Sequence, residues 1–487
     1  MYGTVDLPPA EVVVMEQLSG LDAAFINFET RTAPTHISGL SIYDQSTAPG
    51  GLVTFKGILG NIKSRLHLAR CFRQKIVRVP FGLDHPYWIE DPDFELEFHV
   101  RHIALPKPGD WRQLCIQTAR LHARPLDLGK PLWEMYVIEG LDEVEGLPAG
   151  CFAVLTKIHH AAIDGVSGVE MTAATHDLEV DGKPKPPAES WVPESEPSVL
   201  ELAIRSTVNN VQQPFRFARI LSEAAPPAIQ AYLKNSFNKD DDDDAPAEVP
   251  RTRFNGTVSP HRVFEATSFP LADIKQIRKR VEGCTVNDVI LAIVGGSMRR
   301  YLEHHRELPF ETLSAFAPIS TRTPDQVGTA GNQVSGMFVT LHSDEADPVT
   351  RLERVYRTTQ SSKELTRAVG ARSMTDVTQT MPGAMAGLAG RLVARTGLMS
   401  RLTPVAHTVV TNIPGPQVPL FFTGAKMVAT FAMGLPMEGI GLFHAVLSYN
   451  GNITVSITGC REQMPDPSFY AECIEASFRE LREAAVS

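Results

Sequence analysis

One break in the sequence decides how the rest of it can fold. From Asp181 to Pro197 the chain carries Pro184, Pro186, Pro187, Pro193 and Pro197 among scattered charges. An amphipathic stretch over 199–233 follows, then Lys239, the aspartate run Asp240–Asp244 and Ala245–Pro250. Like charges in a block repel one another and prolines withhold backbone donors, so neither end of this region suits a core. The 487-residue chain is therefore read as an N-terminal domain over 1–180, an interdomain connection over 181–250 and a C-terminal domain over 251–487. Two domains also suit a chain longer than one hydrophobic core usually serves. The aspartate run lacks the glycine turn and ligand alternation of a calcium loop, and reads as solvated linker.

Both halves alternate strand-like and helix-like pieces. Glu95–Val100, with Leu96, Phe98 and Val100 alternating, predicts a half-buried strand, and Arg112–Ala123 a helix. Leu132–Leu141 and Cys151–Ile158 predict strands, the second so continuously apolar that it should lie centrally in a sheet. In the second half, Leu271–Glu282 and Thr285–Leu302 predict helices. Gln333–Leu341, Ala445–Ser448 and Ile453–Thr458 predict strands, with Tyr449-Asn450-Gly451-Asn452 as a hairpin turn.

Composition excludes several function classes. Hydrophobic residues make up 43% and charged residues 21%, as in ordinary globular proteins, and the formal charge of −10 argues against a nucleic-acid partner. The six cysteines lie far apart without CxxC or zinc spacing, which predicts free thiols in a reducing compartment. Met1–Glu16 has no Lys or Arg, unlike a signal peptide, and no apolar run reaches the roughly 18 residues of a membrane span. The expectation is a cytoplasmic protein whose membrane contact, at the inner membrane face or on lipid bodies, is peripheral.

Chemistry-bearing residues concentrate at Lys157-Ile158-His159-His160-Ala161-Ala162-Ile163-Asp164-Gly165. This string lies between the apolar strand and a helix with Val166, Val169, Ala173 and His176 on one face. Strand end, tight loop and helix start is where α/β proteins commonly hold reacting groups. Adjacent side chains of an extended segment point to opposite faces, so His159 and His160 cannot both face one cavity. One is free to act as a base while the other packs. Gly165 lets the chain turn sharply, and Asp164 can bond back across the loop or pair with a distant arginine. A metal site is not expected, because the H-E-x-x-H arrangement is absent. Nor is there a G-x-S-x-G elbow, a P-loop or a dinucleotide fingerprint.

His159-His160-Ala161-Ala162-Ile163-Asp164-Gly165 resembles the HHxxxDG motif of the CoA-dependent acyltransferase superfamily, which includes chloramphenicol acetyltransferase and the condensation domains of peptide synthetases. The flanking segments resemble one branch, the bacterial wax ester synthase/acyl-CoA:diacylglycerol acyltransferases. They include Leu18-Ser19-Gly20-Leu21-Asp22-Ala23-Ala24-Phe25, then Pro34-Thr35-His36-Ile37, where that family commonly has Met in place of Thr35. Asp93–His102, Pro131–Tyr136, Asn255-Gly256, Ser259–Arg262, Asn287-Asp288, Gly331-Asn332, Thr411–Pro416 and Ser448–Gly451 follow in the family's order.

The resemblance implies an α/β fold of the α+β two-layer kind, with two chloramphenicol-acetyltransferase-like domains and an active-site channel between them. It implies His160 as proton acceptor, His159 as support and Asp164 as a structural residue beside Gly165. Acyl-CoA would enter from one side as substrate, and diacylglycerol or a long-chain alcohol from the other. The products would be triacylglycerol or wax ester, with no further cofactor. Asn287 and Asp288 are candidates for the channel, although Thr285-x-x-Asp288 by itself reads as a capping box. The chemistry is consistent: an alcohol needs a base within about 2.6–3.2 Å to become nucleophilic, and a thioester is already activated. The rival readings are a stand-alone condensation-type enzyme using carrier-bound acyl groups, and a catalytically silent lipid-binding protein.

One further segment bears on lipid substrates. Between Asp376 and Glu438 there is no acidic residue, while Met385, Leu388 and Leu392 recur at helical spacing beside Arg391 and Arg395. Such a basic amphipathic helix over 381–401 suits an anionic membrane or lipid-droplet surface, and equally a core-packed helix with solvated arginines.

Overall fold

The computed structural model describes residues 15–163, 168–182, 196–209, 249–320, 334–369 and 404–486. Its strands, numbered in chain order, are β1 (Glu16–Gln17), β2 (His36–Asp44), β3 (Gln74–Val77), β4 (Tyr87–Glu90), β5 (Val100–Ala104), β6 (Trp133–Glu139), β7 (Phe152–His159) and β8 (Arg262–Pro270). After them come β9 (Ser314–Ser320), β10 (Val334–Thr340), β11 (Thr408–Pro414), β12 (Phe421–Phe422), β13 (Ala425–Met433), β14 (Leu442–Tyr449) and β15 (Asn452–Cys460). They form two six-stranded sheets, ordered β12-β13-β2-β7-β6-β5 and β10-β9-β11-β14-β15-β8, with a small β1-β4-β3 sheet beside the first. Both large sheets are mixed: β5 runs parallel to β6, and β11 runs parallel to both β9 and β14.

The near-continuous apolar run of β7 has a direct cause, since the strand is covered on both faces. Phe152, Val154 and Ile158 join one core cluster with Trp133 and Met135 of β6. Ala153 and Leu155 point the other way, into a cluster with Leu114, Ala119 and Leu121 of the helix Trp111–His122. In the second half the helix Val286–His304 buries Val289 through Val294 almost completely against the second sheet and the helix Pro467–Val486. Its start is the capping box read from the sequence: Thr285 N donates to Asp288 Oδ2 (2.8 Å), and Asp288 N to Thr285 Oγ1 (3.3 Å). The β14–β15 hairpin turns through Asn450 and Gly451, whose φ angles of 45° and 85° are those of a two-residue type I′ turn.

The structure corrects one local expectation. Leu96–His99 is a helical turn, and the strand begins only at Val100. The ring of His99 is stacked between Phe94 and Trp133, and its Nδ1 lies 2.7 Å from Trp133 O. That tertiary anchor curls a segment whose short alternation fits either structure.

The two halves share a sheet. β12 and β13, far along the sequence, complete the first sheet, with Lys426 opposite Asp44 and Met433 opposite Ser38. Phe431 and Met433 of β13 and Phe264 of β8 also enter the core beneath the helix Trp111–His122.

Candidate active site

The site grows from the end of β7. His36 pairs with His159, and one residue on the His160 N–H donates to Thr35 O (2.9 Å), so the β2–β7 pairing carries through to the doublet. Residues 160–162 then form a single 3₁₀ turn.

The two imidazoles take different partners. His159 is fully buried, and its Nδ1 accepts from Ala161 N (3.1 Å), which leaves the proton of the neutral ring on Nε2. That nitrogen lies 2.9 Å from Thr35 Oγ1 and 3.5 Å from Glu29 Oε2. Thr35 Oγ1 donates in turn to Phe25 O (2.9 Å). The doublet is thereby tied to the helix Gly20–Phe28, whose first turn is capped by Ser19. The ring of Phe25 stacks on His160, centroids 4.0 Å apart and planes 20° apart. His160 Nδ1 is buried and has no hydrogen-bond partner among the described residues. Burial, reinforced by the neighbouring His159, pushes the His160 pKa down to about 4, so the ring is neutral near pH 7. A neutral imidazole has a ring nitrogen free to accept a proton. Phe25, Glu29 and Thr35 were not singled out as site residues from the sequence, although Phe25 and Thr35 stand inside segments that carried the resemblance.

Two residues before His160, Ile158 of β7 begins the lining of a cavity of about 180 Å³. One wall is the first sheet, with Ile37, Gly39, Ser41 and Tyr43 of β2 flanked by Thr156 of β7 and Thr430 of β13. The helix Gly168–Thr175 contributes Met171 and Thr175, and the second half contributes Ile413, Pro416 and Leu447. The cavity thus lies between the halves. The segment Thr411–Pro416 ends β11 and borders it; Gly415 cannot carry a side chain, since a Cβ there would meet Ser448 O.

The remaining sequence candidates divide. Asp164 and Gly165 lie outside the described residues, as do Asp240–Asp244 and the segment 381–401. Asp288 is buried and spends Oδ2 on the helix cap, while its Oδ1 has no partner among the described residues. No hydrogen bond or ion pair among the described residues joins Asn287 or Asp288 to the histidine doublet. Trp133 is core, donating Nε1–H to Phe72 O (3.0 Å), and Tyr136 OH donates to Glu134 on the face away from the cavity. All six cysteines are free and buried. Burial pushes the thiols of Cys71 and Cys284 up to about 12 and those of Cys151 and Cys473 up to about 11, far from nucleophilic thiolates at neutral pH.

Known proteins resemble this chain along nearly its whole length. Residues 18–290 match the wax ester synthase/diacylglycerol acyltransferase catalytic domain, and residues 330–482 match the C-terminal domain of the same family. A putative diacylglycerol O-acyltransferase of Mycobacterium tuberculosis is 31% identical over 472 residues, covering 97% of this chain and 91% of the relative. Another from that organism is 32% identical over 444 residues, covering 89% and 90%. Among solved structures, the wax ester synthase/diacylglycerol acyltransferase of Marinobacter aquaeolei VT8 superposes with a TM-score of 0.67 at 24% identity, covering 97% of this chain and 100% of that one. The first condensation domain of the calcium-dependent antibiotic synthetase superposes with a TM-score of 0.54 at 15% identity, covering 97% and 96%.

Proposed function

Because the chain belongs to the wax ester synthase/diacylglycerol acyltransferase family, we propose that it acylates diacylglycerol or a long-chain alcohol by direct transfer, with His160 as the base. The chain is an acyl-CoA-dependent O-acyltransferase. The observation that carries the mechanism is the neutral, partly buried His160, stacked on Phe25 and two residues from an apolar cavity between the halves.

In the proposed reaction His160 accepts the proton of the alcohol as its oxygen attacks the thioester carbonyl. The tetrahedral intermediate expels the CoA thiolate, which takes the proton back from the imidazolium, so the enzyme ends as it began. Holding donor and acceptor across one histidine replaces a bimolecular encounter with an oriented one. His159 keeps its neighbour in place through Thr35, and Asp164 and Gly165 keep the supporting roles that the motif resemblance implies. The high thiol pKa values support a route without an acyl-enzyme. The names of the relatives favour diacylglycerol as acceptor, and that of the Marinobacter protein adds wax ester synthesis.

The test is radiolabelled palmitoyl-CoA offered with hexadecanol and with diacylglycerol separately, for wild type and His160→Ala. Ester is expected from wild type with at least one acceptor, and His160→Ala should lose about 10²–10⁴-fold. A stoichiometric acyl-protein adduct in mass spectrometry would overturn direct transfer. We also place a peripheral anionic-membrane contact in 381–401, on the strength of its basic amphipathic sequence. Changing Leu388 and Leu392 to Ser and Arg391 and Arg395 to Glu should weaken sedimentation with anionic liposomes. Undiminished binding by a folded variant would move the contact elsewhere.

A further inference from the structure

One arginine joins the second half to the loop behind the histidine doublet. Arg262 opens β8 and is 3% exposed. Its Nη1 donates to Ser259 O and to His261 O (3.3 Å), both in its own half, while its Nη2 donates to Thr32 O in the other. Burial lowers its pKa from the ordinary arginine value, so a charge is kept there against a desolvation cost that an apolar residue would not carry. A planar fork of donors can hold carbonyls on two elements at once, which the single ammonium of a lysine does less well.

The loop that Arg262 holds runs from Glu29, the C-cap of the helix Gly20–Phe28, to Thr35, the residue before β2. It is braced within itself. Thr30 N donates to Ala33 O (3.2 Å), Ala33 N donates to Thr30 Oγ1 (3.0 Å), and the hydroxyls of Thr30 and Thr32 are 3.1 Å apart. Ala33 packs with Val258 and Cys460 of the second half. The second half therefore grips the loop twice, through a hydrogen bond at Thr32 and an apolar contact at Ala33.

Both ends of the loop meet the doublet. Glu29 Oε2 lies 3.5 Å and Thr35 Oγ1 2.9 Å from His159 Nε2, and Thr35 O accepts from His160 N (2.9 Å). A shift of this loop would move all three groups together, and with them the ring that is to take the proton.

We infer that Arg262 is a positioning residue for His160, clamping the loop 29–35 from across the boundary between the halves and so fixing the doublet. The inference rests on the acyl-transfer reading for its effect on rate. The contacts themselves do not depend on that reading.

The test compares Arg262→Met, which removes the fork, with Arg262→Lys, which keeps the charge alone. Arg253→Met is the control, since Arg253 pairs with Glu307 and Tyr301 in the second half. For Arg262→Met, kcat should fall ~10–100-fold at unchanged KM, because Arg262 does not line the cavity and a displacement of ~1 Å at a base costs about this much. Arg262→Lys should fall in between, and the control should match wild type. Adding Thr35→Val to Arg262→Met should cost less than the product of the two single losses, because both break one chain of contacts. Multiplicative losses, an unchanged kcat or a change confined to KM overturn the inference. Should neither Arg262 variant fold, Thr30→Val decides: at a half-buried position it removes the brace to Ala33 N. It too should lower kcat, less than multiplicatively with Thr35→Val, and an unchanged kcat there overturns the clamp. A turnover-free arm follows the ring ¹⁵N resonances of His159 in histidine-labelled protein, assigned with His159→Ala. The Nε2 signal should shift in Arg262→Met, or in Thr30→Val, and stay in place in Arg253→Met. If wild type makes no ester yet shows that pattern, the proposed function fails and the clamp stands. A resonance that does not move removes the clamp, whatever happens to kcat.

Discussion

The site depends on what is done to two adjacent imidazoles. His159 spends both ring nitrogens on fixed partners, whereas His160 is desolvated and stacked, with no partner for Nδ1 among the described residues. Replacing His159 should therefore act through position. His159→Ala is expected to lower kcat by less than His160→Ala does, and Thr35→Val to reproduce part of that loss by removing the link to Phe25. A His159→Ala defect as deep as that of His160→Ala would contradict this order. The pH dependence follows from the sign of the shift. A base whose pKa is lowered to about 4 stays unprotonated well below the ordinary histidine value of about 6.5. The acid limb of kcat/KM should then show no inflection near pH 6.5, with activity kept down to about pH 5.5. An inflection at the ordinary value would mean that another group is the base, or that the channel hydrates His160. The doublet and its position after a buried strand were legible in the sequence. Its support was not, because Phe25 and Thr35 reach it through tertiary contacts that no local pattern encodes.

Among the elements, those with strong local signals formed as read. The capping box at Thr285 and Asp288 starts a helix, the Asn450-Gly451 pair closes a hairpin, and the apolar run of β7 lies inside a sheet. Glu95–Val100 did not, because six residues of alternation are too few to resist the stacking of His99 on Trp133. Asp288 offers a test of element against site. As the acceptor of the capping box, Asp288→Ala, which removes the oxygen that Thr285 N and Oγ1 donate to, should cost roughly 1–3 kcal/mol in denaturant unfolding while kcat changes in step with the folded fraction. A loss of kcat beyond ~10-fold in fully folded protein would place Asp288, through the Oδ1 that has no partner among the described residues, in the chemistry.

At the scale of the molecule, the composition break near 181–250 and the two α/β halves were visible in the sequence, but the exchange between halves was not. Strand order is set by which edge of β2 finds a partner, and that partner lies nearly four hundred residues on. Limited proteolysis is expected to cut first near Asp240–Pro250, where like charges disfavour packing. The two fragments should nevertheless co-elute in gel filtration, since β13 stays paired with β2. Separation of the fragments, or first cuts within 130–175, would count against this arrangement.

The same exchange bears on how the chain is made. During synthesis the histidine doublet leaves the ribosome long before β13 does, and until residue 433 emerges β2 presents an open edge of unsatisfied backbone groups. An open edge beside exposed apolar side chains is a template for pairing with other nascent chains. An isolated N-terminal half should therefore accumulate in inclusion bodies even though it carries both histidines, and co-expressing residues 404–486 should recover part of it in the soluble fraction.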